Sequence, residues 1–401
     1  MPCAAFRRTL LLCLLSTLAT APLIAQAVTQ TVAAPAPVAY VYVGTSKGIN
    51  LYNAASNGKL TLVAGSPFKT TGLMIGSNQK YFITLGTDLV RSYPVKANGA
   101  IGAQVSQINT QNYNGSNCGT TNGAVLDHSG QDVYVLLNVP PDGNNVCNAF
   151  QTFKIATASG QLTFNGATTI NTGAPAMRNL PTFLSNNKYA YLVNNFDFVT
   201  QFGDTDVYLT SESSFLRETN GTLESSGGFW DLPAPPPAED PGYIWFPLQV
   251  TADPSNHLAI AMHPWFDAPF GTTGGPQIGS FTVDSNGNAH TTNTYKNMPF
   301  PDVFPAYMNM SPDGKLLAVA GGTSGGLQVF HFNGAAPITK YSKVLTTGLI
   351  SWIRWDKANH LYALGTGGKL YVYTITPTSI AAAPGSPYTV SGPAGLFVVP
   401  K

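Results

Sequence analysis

The sequence is poor in charge. Only 10% of its 401 residues are Asp, Glu, Lys or Arg, and their formal sum is +1. A balance this close to zero gives no electrostatic reason to expect nucleic acid or an anionic membrane surface as a partner. Glycine, proline and tyrosine are abundant instead, with 40, 30 and 18 copies. This composition is typical of many short strands joined by turns, so we predict an all-β protein.

Long apolar runs are also scarce, and the clearest one is at the N-terminus. Arg7 and Arg8 precede the apolar run Thr9–Leu15, and the small residues of Ala25–Ala27 follow it. This order is that of a secretory signal peptide, which we place at residues 1–27. Beyond it no apolar segment approaches the roughly 20 residues that a membrane span needs. We therefore expect an exported protein, periplasmic or extracellular, with no membrane span.

Cysteine is rare, with four copies in the chain. Only Cys118 and Cys147 lie beyond the predicted signal peptide, and an exported compartment allows two thiols to pair. Their spacing fits no metal site, and the acidic residues are too scattered to supply the converging oxygen ligands of calcium. We predict a Cys118–Cys147 disulfide and expect no metal and no cofactor.

A turn followed by a short apolar strand recurs along the chain. In the clearest copy, Ser311–Gly314 has the residue types of a type I turn and Leu316–Ala320 is an apolar strand. Each copy leads to another strand and then to a hairpin turn such as Asn333-Gly334. Four strands per unit is the pattern of a propeller blade. The other five copies of the turn begin at Ser77, Asp127, Ser185, Asp253 and Asp356.

The chain ends complete the count of blades. The first unit begins at Ala39–Val43 with no strand before it, and Gly395–Val399 is an extra strand at the other end. Pairing these ends within one blade closes a ring and removes its exposed sheet edges. We therefore predict one seven-bladed propeller domain over residues 39–401, preceded by an Ala/Pro-rich linker at 28–38.

The repeat also sorts the loops between the two ends of the ring. In an up-and-down blade the first and third connections lie at one end, which we call the short-turn face because it carries the short turns. The second connections and the links between blades lie at the other end, which we call the elaborated face. All the long insertions fall on the elaborated face: 102–122, 138–148, 194–212, 226–246 and 263–276.

Several motifs resemble those of a known family. Tyr42–Thr45 and Tyr191–Asn195 approximate a Tyr-Val-Thr-Asn signature, while Gly65–Phe68 and Gly385–Tyr388 are two copies of a Gly-Ser-Pro-aromatic motif. Together with Ser311–Gly314 they resemble the secreted bacterial propellers called lactonase-like or YVTN-type, which share their architecture with 6-phosphogluconolactonase and the carboxymuconate-lactonising propellers. This resemblance implies a seven-bladed fold and a lactonase-type hydrolase.

The enzymatic branch of that family is similar in fold but has a Gly-Pro-Arg-His segment opening a blade. The corresponding openings here are Leu180-Pro181-Thr182 and Pro305-Ala306-Tyr307. Lacking a complete catalytic constellation, the sequence favours a non-catalytic binding or scaffold module. Its elaborated face would take a protein or an envelope polysaccharide, and we expect a monomer. The alternative is a lactonase-like hydrolase of a sugar or small-molecule lactone.

A few residues on the elaborated face or near the innermost strands are candidates for either function. For catalysis they are His263 and Asp197, either of which could activate water, and Arg178, which could steady an oxyanion. The candidates for binding are Trp265, Asp267, Arg354 and Trp245. A structural alternative stays open for each: His263 could anchor its loop, and an arginine near an inner strand could satisfy carbonyl groups rather than hold an anion. The other five histidines occupy turn or outer-strand positions, which favour structural roles.

Overall fold

Short strands run through the whole described part of the chain. The computed structural model describes residues 36–70, 72–111, 120–138, 149–169, 180–195, 200–202, 205–207, 210–233, 244–265 and 275–401. Within these residues the secondary structure is β-strand apart from a single 3₁₀ turn, Gly322–Ser324. No helix in the described part is long and apolar enough to cross a membrane.

Apart from one two-stranded hairpin, the described strands form seven sheets, which we number as blades 1 to 7 in chain order. Blade 1 contains β1 (Ala39–Thr45), β2 (Gly48–Ala54) and β3 (Leu60–Leu62). Blade 2 contains β4 (Leu73–Ser77), β5 (Tyr81–Leu85), β6 (Leu89–Pro94) and β7 (Ser106–Asn109). Blade 3 contains β8 (Thr120–Leu126), β9 (Asp132–Asn138), β10 (Ala149–Ile155) and β11 (Leu162–Thr169). Blade 4 contains β12 (Thr182–Phe183), β13 (Tyr189–Asn195), β16 (Thr210–Arg217) and β17 (Leu223–Ser225), with the separate hairpin of β14 (Thr200–Phe202) and β15 (Thr205–Val207) between β13 and β16.

The remaining blades follow the same order. Blade 5 contains β19 (Ile244–Ala252), β20 (His257–Trp265), β21 (Gln277–Val283) and β22 (Ala289–His290), and β18 (Trp230–Asp231) pairs in parallel with β22. Blade 6 contains β23 (Tyr307–Met310), β24 (Leu316–Ala320), β25 (Leu327–Asn333) and β26 (Ala336–Lys340). Blade 7 contains β27 (Ile350–Trp355), β28 (His360–Gly365), β29 (Lys369–Ile375), β30 (Ile380–Ala382) and β31 (Tyr388–Thr389), and the chain ends in β32 (Pro393–Pro400).

The last strand completes the first blade. β32 pairs antiparallel with β1 from Ala39 opposite Pro400 to Thr45 opposite Pro393, and the strand order in this sheet is β3-β2-β1-β32. β32 is therefore the innermost strand of blade 1. The predicted seven-bladed ring, closed by pairing the two chain ends, is confirmed.

Apolar side chains fill the spaces between blades. Seven buried clusters lie one at each blade-to-blade interface. The second strand of a blade contributes to two of them, because alternate side chains of a strand point to opposite faces of the sheet. In β9, for example, Val133 and Val135 pack toward blade 2, and Tyr134 and Leu136 pack toward blade 4.

The hairpin turns of the short-turn face fasten neighbouring blades together. In six interfaces a turn glycine lies against the first or second residue of the second strand in the preceding blade. Some of these contacts are extended by a hydrogen bond, as where the Tyr134 hydroxyl donates to the Gly221 carbonyl at 2.6 Å. The six pairs are Gly99 with Tyr40, Gly160 with Tyr81, Gly221 with Asp132, Gly287 with Tyr189, Gly334 with His257, and Gly58 with His360.

Much of each predicted insertion lies outside the described residues, and described strands extend further into the insertions than the sequence indicated. β7 lies within 102–122, and β18 lies within 226–246. The link between blades 3 and 4, residues 170–181, is also long and was not recognised as an insertion. The predicted signal peptide and both Cys118 and Cys147 lie outside the described residues.

Candidate functional site

A cavity occupies the centre of the ring. Its volume is about 590 Å³, and all seven inner strands, or the residues next to them, contribute to its wall. This volume is within the range of small-molecule pockets, about 300–1,000 Å³. The wall is mainly apolar on the side of blades 1 to 3, where Leu396, Met74 and Val125 face the cavity. Hydroxyl, amide and guanidinium groups lie on the side of blades 4 to 7.

Four of these polar groups come from one repeated position. In each of four blades, one residue lies two positions before the residue whose backbone N–H closes the first turn. These four residues are Thr182, Thr251, Asn309 and Arg354. They belong to the four consecutive blades 4, 5, 6 and 7, and all four line the cavity. We call this set the polar arc. Since equivalent positions in a ring lie at the same height, the polar arc is one level of the channel wall, near its short-turn end.

Arg354 is the charged member of the polar arc. Among the described residues lining the cavity it is the only one with a formal charge at neutral pH. Its Nη1 donates a hydrogen bond to the carbonyl of Ile353 at 2.8 Å. Burial lowers the pKa of its guanidinium below the ordinary arginine value. Arginine stays protonated despite such a shift, so the channel contains a permanent positive charge.

A second lobe of the cavity opens on the short-turn face. It has a volume of about 390 Å³ and shares Thr182, Thr251 and Asn309 with the main cavity. Its wall includes Asp253, whose oxygens already accept bonds from the backbone N–H groups of Ser255 and His257 and lie 3.1 Å from the His257 ring. This carboxylate therefore serves the turn rather than the channel.

His263 lies at the elaborated end of the ring. It sits near the end of β20, opposite Phe246 of the inner strand β19. Three residues separate Phe246 from the cavity residue Gln249, a distance of about 10 Å along a strand. All six histidines are described. Of the other five, one lies in a turn of the short-turn face, three lie in strands next to that face, and one lies on the outer strand β22. His263 is thus the one imidazole near the elaborated mouth of the channel.

Alternation along β20 decides which way His263 faces. Ala259 and Ala261 pack toward blade 6, whereas Ile260 and Met262 pack toward blade 4. His263 continues the alternation and lies on the face toward blade 6.

Exposed apolar side chains surround the same mouth. They come from the starts of inner strands or from the links before them, and Leu73, Tyr307 and Leu349 are 53%, 43% and 46% exposed. Exposed apolar side chains gathered in one place indicate a surface that binds something. We call this set the apolar collar: Leu73, Leu180, Phe300, Phe304, Tyr307 and Leu349.

The structure describes only some of the other residues proposed from the sequence. Asp197, Arg178 and Asp267 lie outside the described residues, and Trp265 is described only as the last residue of β20. Trp245 is 5% exposed and packs in the core between blades 4 and 5, which favours an anchoring role for its ring. The sequence analysis missed three members of the polar arc, Thr182, Thr251 and Asn309. Superposing the repeats on the first turn of each blade would have found them.

The strongest ionic clusters lie away from the channel. Arg217 bonds the carboxylate of Asp132 and lies 3.2 Å from that of Asp127, between blades 3 and 4. Asp356, His360 and Tyr362 form a buried cluster between blades 7 and 1. Both clusters hold adjacent blades together. No group of three or more potential metal ligands occurs among the described residues.

Solved structures of other proteins share this fold, although no family model and no curated protein matches the sequence. A periplasmic gluconolactonase of Pseudomonas aeruginosa aligns with a TM-score of 0.59 and 13% identity, over 90% of this chain and 99% of that one. A Lactobacillus plantarum protein gives 0.59 and 16%, and a putative 6-phosphogluconolactonase of Bacteroides uniformis gives 0.56 and 14%, both over 90% of this chain and 99% of theirs.

These identities are low enough that the similarity establishes architecture alone. It extends over nearly the whole length of each neighbour, so the entire ring is shared rather than a group of blades. The chain has the seven-bladed propeller fold of the lactonase-like proteins, as its motifs predicted.

Proposed function

We propose that the protein is a lactonase-type hydrolase acting on a sugar lactone or another small lactone. The observation that carries the proposal is the central cavity, whose volume of about 590 Å³ suits a monosaccharide-sized molecule. Its hydroxyl and amide groups match the hydroxyls of a sugar, and the apolar collar would hold the ring of the substrate at the mouth. The periplasmic gluconolactonase and the putative 6-phosphogluconolactonase among the structural neighbours support the same activity.

The reaction needs a base and a group that stabilises negative charge. A base removes a proton from water as the water oxygen adds to the lactone carbonyl. The ring C–O bond then breaks as the protonated base returns the proton to the departing ring oxygen, leaving a hydroxy acid. His263 is our choice for the base because it is the imidazole at the elaborated mouth. Asp197 is the alternative base, and Arg178 is the proposed partner of the developing oxyanion. By analogy with the periplasmic neighbour, the reaction would take place outside the cytoplasm.

Hydrolysis of δ-gluconolactone, its 6-phosphate and γ-butyrolactone tests this function. The wild-type protein should open at least one of them faster than buffer. His263→Gln should lower kcat/KM by about 10²- to 10⁴-fold if His263 is the base. His331→Gln is the matched control, since His331 lies on β25 near the short-turn face and should keep full activity. A wild-type rate equal to buffer for all three lactones would contradict the proposal.

A binding module remains the second candidate, and the apolar collar is the observation in its favour. A partner protein or an envelope polysaccharide would cover these side chains at the elaborated face. Aromatic rings such as Phe304 and Tyr307 suit either kind of partner. Replacing both residues by Ser distinguishes the candidates, because a binding module would lose retention on native envelope material whereas the lactonase would show a raised KM.

A further inference from the structure

Arg354 is partly buried and leaves most of its hydrogen-bonding capacity unused among the described residues. A guanidinium has five N–H donors in a planar fork. Within the described residues its one hydrogen bond is Nη1 to the Ile353 carbonyl, at 2.8 Å. Burial lowers the pKa of Arg354, and no carboxylate of the described residues contributes to its shift. Within the described part of the chain, this positive charge is therefore partly desolvated without a counter-charge.

The neighbouring members of the polar arc present further unused groups. The side chains of Asn309, Thr251 and Thr182 line the cavity, and none makes a hydrogen bond within the described residues. The Asn309 backbone carbonyl, by contrast, is engaged by the indole N–H of Trp355 at 3.1 Å, which fixes this part of β23 against β27. The polar arc thus places hydroxyl and amide groups that can donate or accept hydrogen bonds in the wall of the cavity, beside one cation.

We propose that the channel at the polar arc binds a small organic oxyanion, with Arg354 as its counter-charge and Asn309, Thr251 and Thr182 as its hydrogen-bonding partners. The planar fork of an arginine suits a carboxylate or a phosphate, both of which accept two parallel N–H bonds. The amide and hydroxyl groups of the other three residues suit the hydroxyls of a sugar acid. A bound anion would supply the charge that the wall of the cavity lacks.

The polar arc belongs to the same central cavity that carries the proposed function, but it lies at a different level from the group proposed as the base. The polar arc lies near the short-turn end of the channel, whereas His263 lies at the elaborated end. From Thr251 back to Phe246, the strand partner of His263, is five residues, which corresponds to about 16 Å along β19. Anion binding therefore stands or falls without any lactone being hydrolysed.

Calorimetric titration of the full mature chain tests the anion site, with sodium gluconate, inorganic phosphate and glucose as probes. Gluconate has a carboxylate and hydroxyls, phosphate has the charge alone, and glucose has the hydroxyls alone. We expect one gluconate per chain and much weaker binding of glucose. Tighter binding of phosphate than of gluconate would also support an oxyanion site, and would assign it to phosphate groups.

Three variants connect the binding to the polar arc. Arg354→Gln should weaken gluconate binding by at least about tenfold, because it removes the charge and most of the fork. Asn309→Leu should weaken it by about threefold to tenfold and keeps the proposal testable if Arg354→Gln does not fold. Arg91→Gln is the matched control: Arg91 lies on β6, outside the cavity wall, and its loss should leave the affinity unchanged.

Three results would overturn the proposal. One is that neither gluconate nor phosphate binds the wild-type chain. Another is that glucose binds as tightly as gluconate, since the site would then not recognise charge. The third is that the folded Arg354→Gln and Asn309→Leu variants bind gluconate as tightly as the wild type.

Discussion

The Nδ1 atom of His360 lies 2.8 Å from Oδ2 of Asp356, and both side chains are fully buried. The hydroxyl of Tyr362 donates a hydrogen bond to the same oxygen at 2.7 Å. On its other side the His360 ring faces Gly58 of blade 1. This cluster therefore stands at the interface between blade 7 and blade 1, where the two ends of the chain meet.

Tyr362→Phe should destabilise the protein by about 1.5–3 kcal/mol, because it removes a hydrogen bond to a buried carboxylate and leaves that oxygen with one partner fewer. Equilibrium urea unfolding measures the difference. Tyr371→Phe is the control: Tyr371 lies on the adjacent strand β29, and its hydroxyl has no hydrogen-bond partner among the described residues. Equal free energies of unfolding for the two variants would show that the Tyr362 bond contributes nothing.

Blade 3 uses a different cluster for the same purpose. Asp132 takes the place of His360, and Arg217 from blade 4 bonds it while also lying 3.2 Å from Asp127. Burial raises the pKa of Asp132, and the nearby Asp127 raises it further. The bond from Arg217 lowers that pKa without outweighing the other two effects.

The raised pKa of Asp132 predicts an unusual pH dependence. The folded protein binds a proton at Asp132 more readily than the unfolded chain does. Protonation of Asp132 therefore stabilises the folded state. This contribution is fully present below the pKa of Asp132 in the unfolded chain and is lost as pH rises through its pKa in the folded protein. The free energy of unfolding of the wild type, measured relative to Asp132→Asn, should therefore rise as pH falls from 7 to 4. Urea unfolding of both proteins across this range tests it. A difference that falls toward pH 4 would show that the Arg217 ion pair dominates.

A turn glycine carries a different constraint in blade 5. Gly287 has a φ of +86°. A Cβ at this position would lie 2.7 Å from Cδ1 and Cε1 of the Tyr189 ring in blade 4. The Tyr189 hydroxyl donates to the Ser285 carbonyl at 2.8 Å, which prevents the ring from moving away easily.

Gly287→Ala should therefore cost more than the backbone conformation alone explains. Gly227→Ala supplies the comparison, because Gly227 also has a positive φ, +63°, but a Cβ there would meet nothing within 4 Å. Both variants carry the roughly 1 kcal/mol that alanine costs at positive φ. Overpacking against Tyr189 adds about 1–3 kcal/mol to Gly287→Ala only. Thermal unfolding that places the two variants within error of each other would rule out the steric contribution.

The fold could be read from the sequence because its signals are local and repeated. A turn such as Ser311–Gly314 specifies its own geometry, and six copies at regular intervals define a blade. The pairing of β1 with β32 could be predicted by counting strands per repeat. The first repeat lacks a strand before Ala39–Val43, and Gly395–Val399 is a strand left over after the last repeat. The position shared by Asn53, Lys154, Thr282, His331 and Thr374 is equally regular, because each pairs with the first or second residue of the second strand in its blade.

The candidate site was harder to predict because it depends on the height of each residue along the channel and on the direction of its side chain, and these do not follow from residue type. Thr251 and Asn309 are unremarkable in sequence, and they gain significance only because the ring brings them to the level of Arg354. His263 was recognised as an exception to the repeat, but the face to which it points depends on the register of β20. Because His263 lies at the start of an insertion, the repeat pattern does not predict the register there.

Ring closure gives the last prediction. Leu396 and Val398 of β32 are buried between blades 7 and 1, and Val399 is buried between blades 1 and 2. One strand thus contributes apolar surface to two interfaces and forms a full ladder with β1. Ending the chain at Ser391 would remove all of these contacts together.

The truncated protein should be largely insoluble, because β1 becomes an open edge and two apolar interfaces are exposed to water. Deleting residues 28–34 is the matched comparison, since this Ala/Thr-rich segment has no strand pattern and precedes the described residues. Soluble yield and melting temperature of the two shortened chains, measured beside the full mature protein, provide the test. The N-terminal deletion should match the full chain in both measurements. If the chain ending at Ser391 did so too, the pairing of β32 with β1 would not be what holds the ring closed, and stability would have to come from the six complete blades alone.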